Sequence, residues 1–161
     1  MNVIRVLLFI LITSFSSQAQ DCSKLFVDIK KGTINDLKPT ATQAEVKAKF
    51  PCFTASTEDG STINCGGGVF FTDHNFYYYT GNDFIDVRRG FTGTFSIDLF
   101  DKSENDVKTL LGKNAGGLED GPNRYLFFDT SYGSIVLKMV RGKVDEILIY
   151  TKKPEEVELC I

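Results

Sequence analysis

The chain predicts an α+β protein of two tandem repeats, each a helical segment packed on an antiparallel β-meander. Three observations carry that prediction. The block Thr42 to Phe50, continued by Glu58-Asp59-Gly60, returns 61 residues later as Ser103 to Leu111, continued by Glu119-Asp120-Gly121. Aromatic and β-branched runs bounded by turn residues follow each block, which is the texture of antiparallel strands. From Gly32 to Thr92, eight of 61 positions at this offset are identical, against about four for random pairing of ordinary compositions. The count is modest, so the weight falls on a capped helix, a loop and a hairpin glycine recurring in order without a gap.

At the start of the chain, Met1 to Gln20 reads as a secretory signal peptide. Arg5 precedes the apolar run Val6 to Ile12, and Ser17-Gln18-Ala19 fits a small-x-small cleavage site. That run is too short to span a bilayer, so no transmembrane segment is expected after cleavage. Ala19-Gln20-Asp21 before Cys22 does not form a lipobox. The repeats then occupy residues 21–92 and 93–161. Loss of Arg5 leaves 17 basic and 21 acidic residues, a net charge of −4. Scattered basic residues in an acidic chain argue against a nucleic-acid partner.

Leu25 to Ile29 reads as a first strand, and Gly32 to Ala41 as turn-like. Thr42-x-x-Glu45 is a capping box that opens a helix with Val46 and Phe50 on one face, and Pro51 stops it. Cys52 to Gly60 is expected as loop. Thr62 to Cys65, Val69 to Phe71, Phe76 to Thr80 and Phe84 to Arg88 are expected as strands. The second half follows the same plan. Gly93 to Phe100 is weakly structured, and Ser103-x-x-Asp106 caps a helix. Lys113 to Asn123 is loop, and strands lie at Tyr125 to Phe128, Ser134 to Met139 and Val144 to Tyr150, the last two joined by the hairpin turn Arg141-Gly142-Lys143.

Cys22, Cys52, Cys65 and Cys160 are an even set behind a signal peptide, the pattern of disulfides in an oxidising compartment. Four cysteines allow three connectivities. Cys52 and Cys65 bracket one loop, and Cys22 and Cys160 lie near the ends, which favours Cys52–Cys65 with Cys22–Cys160. A zinc site lacks support, since there is no Cys-x-x-Cys and the single His74 has no spaced partner.

A helix can cover one face of such a sheet and leaves the other open. Ile135, Leu137 and Met139 alternate with Ser134, Val136 and Lys138, and the first set should face the helix. Subtracting 61 sends Phe76 and Tyr78 inward and puts Asn75, Tyr77 and Tyr79 on the open face, the face that also carries Lys138. Outward tyrosines have the amphipathic character common in binding sites.

The first-half pattern of capped helix, Cys52, Cys65, Gly66 to Gly68 and the aromatic strand Phe76 to Tyr79 resembles one repeat of the β-lactamase-inhibitor-protein family. The resemblance implies two tandem repeats, each a helical segment on a four-stranded antiparallel sheet, with an open face that docks a protein. The second half has Lys113 and Leu126 where the first has Cys52 and Cys65, so inhibition of a β-lactamase does not carry over. A weaker similarity is to small outer-membrane assembly lipoproteins.

Gly-x-Ser-x-Gly, His-Glu-x-x-His, P-loop and dinucleotide fingerprints are absent from the sequence, and it implies no cofactor. Glu58-Asp59 and Glu119-Asp120 read as turn residues, and Gly66 to Gly68 as a turn or bulge. The sequence therefore points to a secreted or periplasmic noncatalytic binding protein whose partner is another protein, an inhibitor being one version. A periplasmic or cell-surface assembly module is the alternative. A small hydrolase using His74 with an acidic residue is the third reading.

Overall fold

Two short helices form where the sequence caps them. The structure, a computed structural model, describes Cys22 and residues 24–63 and 65–160. The signal-peptide reading of Met1 to Gln20 lies outside the described residues. In α1 (Gln43–Lys49) the Thr42 side chain accepts from the Glu45 amide, and the Glu45 carboxylate accepts from the Thr42 amide. The reciprocal bonds satisfy two donors that a helix start otherwise leaves open. Ser103 and Asp106 close α2 (Glu104–Leu111) in the same way. Each helix buries one valine fully, Val46 and Val107.

The strands are β1 (Phe26–Asp28), β2 (Thr33–Ile34), β3 (Ala55–Ser61), β4 (Gly66–Phe71), β5 (Phe76–Tyr79), β6 (Phe84–Arg88), β7 (Thr94–Phe95), β8 (Gly116–Asp120), β9 (Asn123–Thr130), β10 (Gly133–Val140) and β11 (Lys143–Tyr150). Eight of them form one antiparallel sheet in the order β3-β4-β5-β6-β11-β10-β9-β8. A small sheet, β2-β1-β7, pairs β1 antiparallel to β2 and parallel to β7. The fold is thus α+β with a large antiparallel sheet.

One face of the large sheet carries the main core. Val69 and Phe71, Phe76 and Tyr78, Ile85 and Val87, Ile147 and Ile149, Ile135 and Leu137, and Leu126 and Phe128 alternate inward along successive strands. The helices and the small sheet cover them. Phe50, which ends α1, meets the rings of Phe71, Phe76 and Tyr78 with centroids 5.7, 5.8 and 6.1 Å away. Tyr78 donates its hydroxyl to the Leu37 carbonyl at 3.1 Å, and Tyr132 donates to Ile29 at 2.9 Å. These two bonds tie the sheet to the segments lying over it and satisfy hydroxyls that burial would otherwise penalise.

Two expected loops are strands. Cys52 to Gly60 holds all of β3 but its last residue, and Lys113 to Asn123 contains β8. Both are edge strands, exposed along most of their length, so neither needs the apolar alternation by which strands are read. Conversely Thr62 and Ile63, expected as strand, form the turn after β3. The triple glycine opens β4 against a register shift in β3. Gly67 has φ +93°, and a Cβ there would lie 2.0 Å from the Glu58 carbonyl oxygen, so only glycine fits.

The expected cysteine pairing is overturned. Cys22 bonds Cys52 and Cys65 bonds Cys160, with Cα separations of 6.1 and 5.8 Å. The strand in the expected loop is the reason. Cys52 precedes β3 and Cys65 follows it, and seven extended residues separate their ends by roughly 20 Å. A disulfide spans about 4.4–6.8 Å between Cα atoms. Beyond a 3-10 turn at Pro154–Glu156, Val157 and Leu159 pack on the sheet face away from the helices, and Cys160 fastens this tail to Cys65. Among the described residues no helix is long and apolar enough to cross a membrane.

Peptide mapping of the nonreduced protein is expected to recover Cys22–Cys52 and Cys65–Cys160 linked peptides. Removing the second bridge, which closes a separation of 95 residues, should lower stability by about 4–5 kcal/mol in the chain-entropy picture. Recovery of a Cys52–Cys65 peptide would contradict the fold of β3.

Candidate functional site

The sheet face turned from the helices is not uniformly open. Cross-strand register aligns Tyr79 with Phe84 and Phe84 with Tyr150. Their rings stack in a ladder with centroids 4.4 and 4.7 Å apart. Val157 and Leu159 of the tail pack onto this cluster. The face therefore has a covered aromatic half.

Beside the ladder the same face carries charge. Register places Arg88 opposite Glu146 and Glu146 opposite Lys138, in one row across β6, β11 and β10. Asp86, two residues before Arg88, points the same way because side chains alternate. Arg88 donates from Nε and Nη2 to Asp86 Oδ2 at 2.8 and 2.7 Å. Arg88 also lies 3.7 Å from Glu146, and Lys138 Nζ lies 3.1 Å from the other Glu146 oxygen. The Arg88 guanidinium stands 4.3 Å from the Tyr77 ring centroid, a cation–π contact.

Asp86, Arg88, Glu146 and Lys138 line a cleft of about 630 Å³ that also has Tyr125, Asp120, Asn123, Leu159 and Cys160 in its walls, while Tyr77 lies outside it under Arg88. The volume suits a small ligand or an inserted side chain. Asp86 is 1% exposed, and its Oδ1 and the Tyr150 hydroxyl are buried with no hydrogen-bond partner. Burial first, and the neighbouring Glu146 charge second, push the Asp86 carboxyl up to about 8, against the opposing pull of Arg88. Burial and then Asp86 push the Tyr79 phenol up to about 12. For Arg88, burial lowers and Asp86 raises, and the guanidinium ends above its ordinary value.

Linkage gives the sign of the Asp86 effect. The folded chain keeps this proton through a window, from the ordinary carboxyl range up to about 8, in which the unfolded chain has released it. Stability from this group is therefore present at acidic pH and falls as pH rises through that window.

Of the residues expected on the open face, Tyr77 is half-buried beneath Arg88. Lys138 is bound to Glu146. Tyr79 lies on the face but is 8% exposed, inside the ladder and not on a free surface. Asn75 is a left-handed turn residue whose amide donates to the Gly90 carbonyl at 3.1 Å, and it lines the cleft rim. The cleft's central pair, Asp86 and Glu146, was not singled out by the sequence reading. The available signal was Phe84-Ile-Asp-Val-Arg88, a strand otherwise fit for burial with an acid and a base two apart on one face.

Asp59, Glu119 and His74 have structural partners. Asp59 accepts from Gln43 at 2.9 Å and from Thr80, fastening β3 to α1. Glu119 pairs with Arg124 at 3.0 Å. The His74 Nδ1 is 2.7 Å from the Thr92 hydroxyl. A ring nitrogen of His74 and the sulfurs of Cys22 and Cys52 gather within 4.8 Å, but these sulfurs are joined in a disulfide and are not thiolate ligands.

Comparison of the chain with known protein families, with curated proteins and with solved structures finds no match.

The two adjacent tyrosines should behave oppositely in chemical denaturation. Tyr79→Ala removes a ladder ring and is expected to cost about 3–5 kcal/mol. Tyr77→Ala, half-buried, is expected to cost about 1 kcal/mol. Equal losses would contradict the split between covered and accessible parts of the face.

Proposed function

We propose that the chain is a secreted or periplasmic noncatalytic binding protein, and that the cleft face of its large sheet holds a partner protein. The observation that carries this reading is the cleft itself. A concavity of about 630 Å³ is lined by paired charges and by the buried rings of Tyr79, Tyr125 and Tyr150. Interfaces place aromatic and arginine anchors in such desolvated pockets. Two disulfides fit an extracellular or periplasmic setting. The reading assigns no reaction to the chain.

We further infer that two tandem copies of one unit build the sheet. In support, α1 and α2 start 61 residues apart, at Gln43 and Glu104. The same offset separates β2 from β7, at Thr33 and Thr94, and β3 from β8, at Ala55 and Gly116. It fails at the last strand. Adding 61 to the inward Ile85 and Val87 reaches Glu146 and Leu148, which face outward. A bulge between Lys138 and Met139 takes up one extra residue of β11 and accounts for the slip. This layout is what remains of the likeness to the β-lactamase-inhibitor family, since Cys52 and Cys65 bond elsewhere.

One observation favours the assembly-module reading. β3 and β8 leave both edges of the large sheet exposed, and Leu118 on β8 is 43% exposed. An edge of this kind accepts an added strand.

The test is capture from the proteins of the compartment that receives the chain, with wild type, Tyr77→Ala and Phe53→Ser immobilised in parallel. Phe53 is exposed beside Lys47 of α1, away from the cleft. The cleft reading expects a retained protein whose binding Tyr77→Ala weakens by on the order of tenfold and Phe53→Ser leaves unchanged. Retention insensitive to Tyr77 but lost in Leu118→Asp would favour the edge.

A further inference from the structure

The end of the chain lies on the large sheet without being woven into it. As far as Glu156 it is anchored by polar bonds. Ser134 donates its hydroxyl to the Lys152 carbonyl at 2.9 Å, and Lys153 Nζ reaches Asp129 at 2.6 Å and the Thr130 carbonyl at 3.0 Å. From Val157 to Cys160 no backbone hydrogen bond to the described residues holds the chain. This segment is fixed by Val157 and Leu159, both half-buried on the aromatic cluster, and by the Cys65–Cys160 bond at its end. Ordering such a segment costs about as much as two half-buried aliphatic side chains return. The disulfide therefore decides where it lies.

The segment also shows what the surface beneath accepts. Tyr79, Phe84 and Tyr150 stack there as one buried aromatic ladder. An apolar surface of this kind is either covered or used. Its cover has an extended backbone at Val157, φ −77° and ψ 119°. Aliphatic side chains two residues apart point to the ladder, and Glu158 between them is exposed.

We propose that residues 157–160 are a strap held by a reducible disulfide, and that the ladder beneath binds an extended segment of a partner protein with aliphatic side chains two residues apart. This rests on the reading that this face of the large sheet binds protein. Leu159 and Cys160 also stand in the wall of the cleft, so releasing the strap joins cleft and ladder in one surface. The main core lies on the opposite face and stays packed. Cys160 is exposed, whereas Cys22 and Cys52 are both partly buried against that core. The reductant is a dithiol. Its thiolate attacks Cys160 Sγ, the sulfur–sulfur bond breaks, and the electron pair leaves on Cys65 Sγ, which takes up a proton. The second thiol then closes on the first and frees Cys160 as a thiol. Two electrons have passed to the chain, and the dithiol has become a disulfide.

The test compares the full mature oxidised chain with Cys65→Ser/Cys160→Ser, which keeps the other bridge. Methyl groups of Val157 and Leu159 lie against aromatic rings, so their proton resonances should be ring-shifted in the oxidised chain. In the double variant they should move to random-coil positions while the amides of the core strands keep their dispersion. The peptide probe is Glu-Glu-Val-Glu-Leu-Ser, copied from residues 155–160 with serine for the cysteine. It should shift ring resonances of Tyr79, Phe84 and Tyr150, with affinity for the double variant at least roughly tenfold above that for the oxidised chain, where the tethered strap competes. A peptide with serine at both aliphatic positions should shift none of them. Limiting dithiothreitol followed by thiol trapping should open Cys65–Cys160 severalfold faster than Cys22–Cys52. Methyls still ring-shifted without the bond, equal peptide binding to both forms, earlier opening of Cys22–Cys52, or collapse of the core dispersion in the double variant would each overturn the proposal. The two readings fail separately. Capture abolished by Tyr77→Ala, with the strap unmoved in the double variant, leaves the cleft reading standing and removes the strap. Strap release with peptide binding, and capture indifferent to Tyr77→Ala, removes the cleft reading and leaves the ladder surface.

Discussion

The pairing of β6 with β11 is the constraint on which the rest of the molecule depends. It joins the run β3-β4-β5-β6 to the run β11-β10-β9-β8 in one sheet. Its register sets both faces at once. On the helix side it brings Ile85 against Ile149 and Val87 against Ile147, all fully buried. On the other side it brings Phe84 against Tyr150 and Arg88 against Glu146. A slip of one residue would send the isoleucines to the cleft and the charges into the core, which no compensating contact could offset.

The charged row that this register creates is a poor way to gain stability. Burying the Asp86 carboxyl costs hydration that its pairing with the half-exposed Arg88 only partly returns. Apolar residues at Asp86 and Glu146 would extend the ladder of Tyr79, Phe84 and Tyr150 with less strain on the electrostatics. The network is also incompletely satisfied, since Asp86 Oδ1 and the Tyr150 hydroxyl lack partners. The tail contributes in a complementary way. By laying Val157 and Leu159 on the aromatic half, it covers the apolar surface and leaves the polar half as the accessible concavity.

Much of the element plan was legible because it rests on local rules. The capping residues Thr42 and Ser103 located both helices, and alternation in β5 and β10 assigned Phe76, Tyr78, Ile135 and Leu137 to the core. The edge strands β3 and β8 were not legible. An exposed strand such as Ala55–Ser61 is polar on both sides, and its pairing is made by backbone groups that every residue shares. That omission carried into the cysteines, because bracketing a loop and bracketing a strand look alike in one dimension. The cleft was half legible. Lys138 followed from alternation, whereas Asp86 and Glu146 became partners only through the β6–β11 register and a bulge that no local pattern announces. The burial of Tyr79 depended on a tail about 80 residues away in the chain.

The central claim is that a half-satisfied carboxyl lies buried at the middle of the sheet, beside a second acid and under the control of Arg88. Its most direct test is a carbon-13 NMR titration of the side-chain carboxyl of Asp86 in the folded, oxidised protein. The account predicts that this carboxyl titrates near 8, well above an ordinary carboxylate. An Asp86 midpoint in the ordinary carboxylate range would contradict it.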